Sequence, residues 1–297
     1  MKSLKNTLKI IFVVFFIFST VLLSSCTIKN NENQFPSKKH LVDTSNKILV
    51  HYIDVGQGDC ILIQVNNKNF LIDSGTKDSH SKIINYIHNL NIKTIDYFLI
   101  THPHEDHIGS ANYIIDKFEI GKFYSPKIIY NTNIYKKMIN SLKAKNYKIH
   151  IAKEGVTLNL GSNVICEMLS PNKKIYEDMN NYSPIIKIAY KSNKFIFTGD
   201  AENLIEDTIL KSNYDLSADV LKLGHHGSKS STSLNFINNI NPKIAIISCG
   251  KNNKYNHPHK ETLKKINEIN CKIYRTDVNG SVLIIGDGNT LEIQSER

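Results

Sequence analysis

From residue 48 onward, short apolar runs alternate with stretches whose apolar positions fall three and four apart. The runs at residues 48–53, 60–65 and 70–72 predict strands. Residues 79–90, with Ile83, Ile84, Ile87 and Leu90 on one face, predict a helix. A strand at 95–100, a helix at 108–118, a strand at 122–124 and a helix at 134–144 follow. The second half repeats the logic. Strands are expected at 164–169, 185–190 and 194–197, a helix at 203–210, a strand at 219–223 and a helix at 234–239. A strand at 244–248 and a helix at 260–269 precede closing strands at 272–274, 281–285 and 290–294. Strands interleaved with helices in this way predict an α/β architecture of layered sheets flanked by helices.

The first residues read differently. Lys2, Lys5 and Lys9 precede an apolar run over residues 10–23, short for a membrane-spanning helix and laid out as a secretory signal. It ends in Leu23-Ser24-Ser25-Cys26, which resembles a bacterial lipobox. That resemblance implies cleavage after residue 25, lipidation of Cys26 and attachment to the outside of the cytoplasmic membrane. An uncleaved anchor is the alternative, and it leaves the domain on the same side. Residues 26–45, polar and rich in Asn, read as a flexible tether. Residues 46–297 then form a single domain, long enough to bury a substantial core.

Composition changes this picture little. The formal charge of +10 favours anionic partners such as nucleic acid or an anionic membrane surface. The Lys residues form no single basic run, however, and read equally well as a solvated surface. Cys60, Cys166, Cys249 and Cys271 show no paired spacing and read as free thiols. No segment points to a protein partner.

The chemistry lies in the loop Thr101-His102-Pro103-His104-Glu105-Asp106-His107, directly after a predicted buried strand. Imidazole and carboxylate at this density suit zinc or manganese. His102 and His104 are candidates for one metal, Asp106 and His107 for a neighbouring one. Asp200 follows another apolar strand and a Gly, which exposes its carboxylate at a strand end; the competing reading is a cap for the helix behind it. His225 and His226 follow a third such strand. No Gly-x-Ser-x-Gly elbow and no phosphate-binding Walker loop is present.

These segments resemble the metallo-β-lactamase-like hydrolase superfamily, through its HxHxDH signature. Further segments resemble one branch, the soluble hydrolase domain of bacterial competence DNA-uptake channel proteins. They are Asp54-Val55-Gly56-Gln57-Gly58-Asp59, Leu71-Ile72-Asp73-Ser74-Gly75, Phe197-Thr198-Gly199-Asp200, Gly224-His225-His226-Gly227-Ser228, Tyr255-Asn256-His257-Pro258 and Tyr274-Arg275-Thr276-Asp277. The resemblance implies an αββα sandwich holding two divalent metal ions, zinc or manganese, with Asp200 bridging them. It implies that one of His225 and His226 completes the second metal while the other faces substrate, and the residues leave open which. Asp73 is expected behind the ligands; Asp54, Gln57 and Asp59 are expected either to hydrogen-bond near the site, Asp54 also behind the ligands, or only to cap the turn. Ser228, Asn256 and Arg275 are expected to hold substrate. Asp106, His226 and His257 are the candidates for the chemical step. The family's additional His before the bridging Asp has no counterpart except His150, which lies in an apparent strand; Asn180, Asn181 and Ser183 occupy the expected polar loop.

The implied function is hydrolysis of phosphodiester bonds in DNA outside the cell, by a hydroxide that the metals generate near neutral pH. A cell-surface phosphorylcholine esterase is the alternative. A thioester or β-lactam hydrolase, an oxygen-reducing di-iron protein, whose group typically has Glu where His104 stands, and a non-catalytic surface binding protein fit the residues less well.

Overall fold

The computed structural model describes residues 28–30, 46–173 and 175–297. Cys26, the apolar run at 10–23 and nearly all of the tether therefore lie outside the described residues. The first seven strands are β1 (Ile28–Asn30), β2 (Ile48–Tyr52), β3 (Ile61–Val65), β4 (Lys68–Ile72), β5 (Thr94–Leu99), β6 (Glu119–Ser125) and β7 (Ile149–Ile151). The next six are β8 (Val164–Met168), β9 (Ile186–Tyr190), β10 (Asn193–Phe197), β11 (Val220–Lys222), β12 (Ile244–Ile247) and β13 (Lys272–Arg275). β14 (Val282–Gly286) and β15 (Leu291–Ser295) close the chain. One sheet has the order β1-β15-β14-β2-β3-β4-β5-β6-β7, and the other β13-β12-β11-β10-β9-β8.

The alternation of side chains along each strand sorts the molecule into layers. Ile48, Val50 and Tyr52 of β2 and Ile61, Ile63 and Val65 of β3 meet Ile186, Ile188, Phe195 and Phe197 of the second sheet in one core. Leu62 of β3 and Leu71 of β4 point the other way. They pack with Phe98 against Ile83 and Ile87 of α1 (His80–Asn89), and against Ile114 and Ile115 of α3 (Ala111–Lys117), which follows the short α2 (Glu105–Ile108). α4 (Asn133–Ala144) adds Met138 and Leu142 to the same layer. On the far side Ile196, Leu221 and Ala245 pack against Ile205 of α5 (Asn203–Leu210), Ile237 of α6 (Leu234–Ile240) and Ile266 of α7 (Lys260–Glu268). A single-turn helix, α8 (Thr276–Asn279), follows β13. The result is the expected αββα sandwich.

Two local expectations are corrected, and the reading of His150 as a strand residue holds. The helix read over 108–118 is two pieces, α2 and α3, because Gly109 and Ser110 interrupt it. A Cβ on Gly109 would lie 2.2 Å from the Lys77 nitrogen, so the chain turns there against the preceding segment. His150 lies on β7, an exposed edge strand, with its ring 5.2 Å from that of Tyr124. Ile28–Asn30, within the stretch read as tether, pairs parallel with β15, whose outer edge otherwise offers open backbone groups.

β4 to β7 run parallel, as do β10 to β13. The loops leaving β4, β5, β10, β11 and β12 therefore emerge at carboxyl ends, where sheets of this kind bind ligands. Asp73, the residue-101–107 loop, Asp200, the His225-His226 pair and Ser248 all sit on those loops.

Candidate metal centre

Each ligand candidate is delivered by a strand end and tied from behind. Asp73, in the left-handed region at φ 57°, accepts from the Thr101 backbone N–H at 2.8 Å and from the Thr101 hydroxyl at 2.7 Å. Its Oδ2 also faces His107 Nδ1 at 2.8 Å. His226 Nδ1 faces the Ser248 carbonyl at 2.9 Å. Carbonyl and carboxylate oxygens accept only, so both histidines carry their proton on Nδ1 and present a bare Nε2. The Thr101 hydroxyl spends its hydrogen on Asp73, and its oxygen then accepts from His102 Nδ1 at 3.1 Å. His102 is thereby held in the same tautomer.

The three Nε2 atoms converge on one carboxylate. Asp200 Oδ2 lies 3.3 Å from His107, 3.4 Å from His226 and 3.8 Å from His102. His107 Nε2 and His226 Nε2 are 3.2 Å apart, and Asp106 Oδ2 is 3.3 Å from His226 Nε2. Asp106, His107 and His226 bring one donor atom each within 4.8 Å of one another, as do His102, His107 and Asp200. His104 reaches His102 Nε2 through its Nδ1 at 3.0 Å, at the rim.

This donor set fits divalent cations. Bare imidazole nitrogens facing each other at such range repel unless a proton or a cation lies among them. Asp200 Oδ1 is buried without any partner. Burial works against charge on Asp200, but His226 and His107 outweigh it and hold its carboxyl well below the usual range. Asp106 is held low in the same way, burial being overcome by His107 and His226. Burial also disfavours charge on His226, yet Asp200 leads the carboxylates that raise it to about 10. His107 is raised likewise, burial being outweighed by Asp200, Asp73 and Asp106. His102 is lowered, by burial and then by His107. A negative field that draws protons onto His107 and His226 draws metal ions in their place, and metal binding must release those protons.

The two adjacent histidines separate. His226 is buried in the cluster, whereas His225 is half-buried at its edge, with Nε2 3.8 Å from Asp200 Oδ2. His225 Nδ1 lies 3.5 Å from Glu202 Oε1 and 3.3 Å from the Ser230 hydroxyl. Ser183 fills part of the position lacking a histidine: its hydroxyl accepts from the Asp200 N–H at 3.2 Å and lies 3.4 Å from His102 Nδ1. Asn181 is bonded instead to Glu202.

A cleft of about 730 Å³ opens above the cluster, lined by His104, Asp106, Asp200, His225, His226 and His257, with Gln57, Tyr130 and Tyr255 among its walls. Asn256 and Arg275 are not in it. They line a second groove that shares only Thr76, Asn253 and His257 with the first, because the residue-250–258 loop stands between them. Arg275 is clamped by Asp277, at 3.0 and 2.7 Å. Ser228 is buried, with its hydroxyl 3.1 Å from that of Ser230. Of its two readings Asp54 takes the one at the turn: it caps the Gly56 N–H and pairs with Arg297 at 3.1 Å.

Asp59 takes the position foreseen for Asp54. It is buried 3.6 Å from His226 Nδ1 and paired with the buried Lys222 at 2.9 Å. Its backbone joins Asp106 and Gly75. Lys222 was detectable as a lone cation in the apolar run Val220-Leu221-Lys222-Leu223.

The model of the Metallo-beta-lactamase superfamily matches residues 53–251, and the chain belongs to that superfamily. It is a metal-dependent hydrolase of that superfamily with competence-related relatives. It is 31% identical to ComE operon protein 3 of Bacillus subtilis over 251 residues, covering 78% of this chain and 32% of that one. It is 27% identical to Competence protein ComA of Neisseria gonorrhoeae, covering 80% of this chain and 32% of that one. The chain thus spans about a third of the length of these relatives, which are consistent with the branch its motifs resemble. The metallo-beta-lactamase fold protein YhfI from Bacillus subtilis superimposes with a TM-score of 0.54 at 11% identity, over 81% of this chain and 100% of that one, a likeness of fold.

Proposed function

We propose that this protein is an extracytoplasmic phosphodiesterase that cleaves DNA, using two divalent metal ions, zinc or manganese. The observation that carries the reading is the buried Asp106–His107–His226 and His102–Asp200 cluster at the floor of an open cleft whose lining contains no Ser or Cys nucleophile. The likeness to competence proteins supports nucleic acid as the substrate class. His102, His104 and Asp200 would hold one metal, and Asp106, His107, His226 and Asp200 the other. The bound metals would supply Lewis acidity and a water acidic enough to ionise near neutral pH. The chain's own residues do the rest. Asp73 and Ser248 fix the imidazole tautomers, His225 faces the cleft with Glu202 behind it, and His257, in the cleft lining, would be the group to give a leaving oxygen its proton.

The location rests on the pattern of residues 1–26, with Cys26 as the lipid anchor to the membrane. Among the described residues no helix is long and apolar enough to cross a membrane. A second reading, a cell-surface phosphorylcholine esterase, is favoured by Tyr130 and Tyr255, both in the cleft, because tyrosine faces receive quaternary ammonium groups.

The test is hydrolysis of bis(p-nitrophenyl) phosphate, single- and double-stranded DNA and phosphorylcholine-bearing cell wall by metal-stripped protein refilled with zinc or manganese. DNA cleavage restored by one metal and reduced at least about a hundredfold in Asp200→Ala is expected. Release of choline phosphate without DNA cleavage would replace the first reading by the second. Unchanged activity in both His102→Ala and Asp200→Ala would rule out this site.

A further inference from the structure

We propose that Gln57 is a substrate-binding residue of the metal cleft, whose side-chain amide donates a hydrogen bond to a non-bridging oxygen of a bound phosphoryl group, with His257 as the companion donor. The inference rests on the phosphodiesterase reading and adds how the tetrahedral anion is gripped.

Gln57 lines the cleft, on the first glycine-containing turn. Its Oε1 accepts from the Gly250 backbone N–H at 3.1 Å. That bond decides which way the amide points: turning it over would set two donors against each other. Nε2 is therefore the free end, and it is buried without a partner. A buried N–H with no acceptor is costly, so its persistence marks a place where an acceptor arrives with a ligand.

His257 presents the same feature from the loop that carries Gly250. Its ring is in the cleft and its Nδ1 is buried and unpartnered. Its backbone is clamped by Asn253, which accepts from the His257 N–H at 2.9 Å and donates to the Gly250 carbonyl at 2.8 Å. Gly250 thus ties both residues into one assembly. A Cβ there would lie 2.8 Å from the Gln57 nitrogen, so the two loops approach this closely only with glycine. The remaining cation in the cleft, Lys254, is exposed and lies over the Tyr255 ring at 5.0 Å. Asp106 and Asp200 repel an anion unless metals lie between, and Gln57 and His257 offer it directed, unpartnered nitrogens.

Gln57→Glu separates this role from a structural one, because its carboxylate still accepts from Gly250 while the donor is lost and a negative charge faces the anion. In the metal-loaded full chain, inorganic phosphate is expected to bind at least about tenfold more weakly by calorimetry. kcat/KM for bis(p-nitrophenyl) phosphate should fall about 10- to 100-fold, with metal content and melting temperature unchanged. Gln57→Leu should lower phosphate affinity to a similar degree. Phosphate affinity in Gln57→Glu within about twofold of the natural protein would overturn the proposal. A parallel loss of metal or melting temperature would also overturn it, making Gln57 a structural tie. If the natural protein hydrolyses the diester and the variants match it, this inference alone fails; if it neither hydrolyses the diester nor binds phosphate, the phosphodiesterase reading fails with it.

Discussion

His51 shows what a single residue contributes outside the metal centre. It sits on β2 with its side chain turned away from the inter-sheet core, fully buried, with Nδ1 3.0 Å from the Tyr86 hydroxyl and Nε2 3.1 Å from Gln64 Oε1. Burial, only partly offset by Gln64, lowers its pKa from 6.5 to about 4. The unfolded chain therefore takes up a proton at a pH where the folded protein does not. The stability His51 contributes is complete above pH 6.5 and is lost as pH falls from 6.5 through about 4. The difference amounts to about 3 kcal/mol. In urea unfolding from pH 7 to pH 4, His51→Gln is expected to lose less stability than the natural protein by that order. Equal pH slopes for the two proteins would refute the assignment. The motif histidines at residues 102–107 were legible because their spacing is rare. His51 was not, because a single His in an apolar strand carries no sign of its burial.

Among the elements, the first glycine turn does most to organise the site. Gly58, at φ +126°, leaves so little room that a Cβ would lie 2.1 Å from the Asp106 carbonyl oxygen. The contact lets Asp59 bond the metal loop and lie beside His226. Gly58→Ala is expected to cost about 2 kcal/mol or more in denaturant unfolding. It should also lower bound metal per folded protein, measured by elemental analysis, since Asp106 must move. Full metal content with an unchanged midpoint would contradict this role. The turn's sequence left Asp54, Gln57 and Asp59 equivalent, three polar residues among glycines. Pairing with β11 separates them, because only Asp59 reaches Lys222.

For the whole molecule, the cluster concentrates acceptors and bare imidazoles between two sheets that contribute different members. His102, His104, Asp106 and His107 follow β5 of one sheet, while Asp200, His225 and His226 follow β10 and β11 of the other. Metal ions bound here clasp the sandwich together, and the unfolded chain holds no such arrangement. The melting temperature of metal-loaded protein is expected to exceed that of chelator-stripped protein, with stabilisation of about 4 kcal/mol at a thousandfold excess over Kd. Coincident melting curves would show that the cluster binds no metal in the folded state.

By itself the amino-acid sequence determined most of the elements and the ligand types, since periodicity and strand-end motifs are local properties carried by neighbouring residues. His102, His104, Asp106, His107 and Asp200 were legible for that reason. Periodicity reached only layered sheets flanked by helices, and the αββα sandwich came from the family resemblance. Tertiary structure alone decided which of two adjacent histidines enters the cluster, because both share one loop and differ only in what lies behind them. Ser248 stands behind His226, and Glu202 beside His225. It also moved Asn256 and Arg275 into a neighbouring groove and brought Asp59, Lys222 and Gln57 to the site. Those placements depend on distances between segments far apart in the chain, which are set only when two sheets pack face to face.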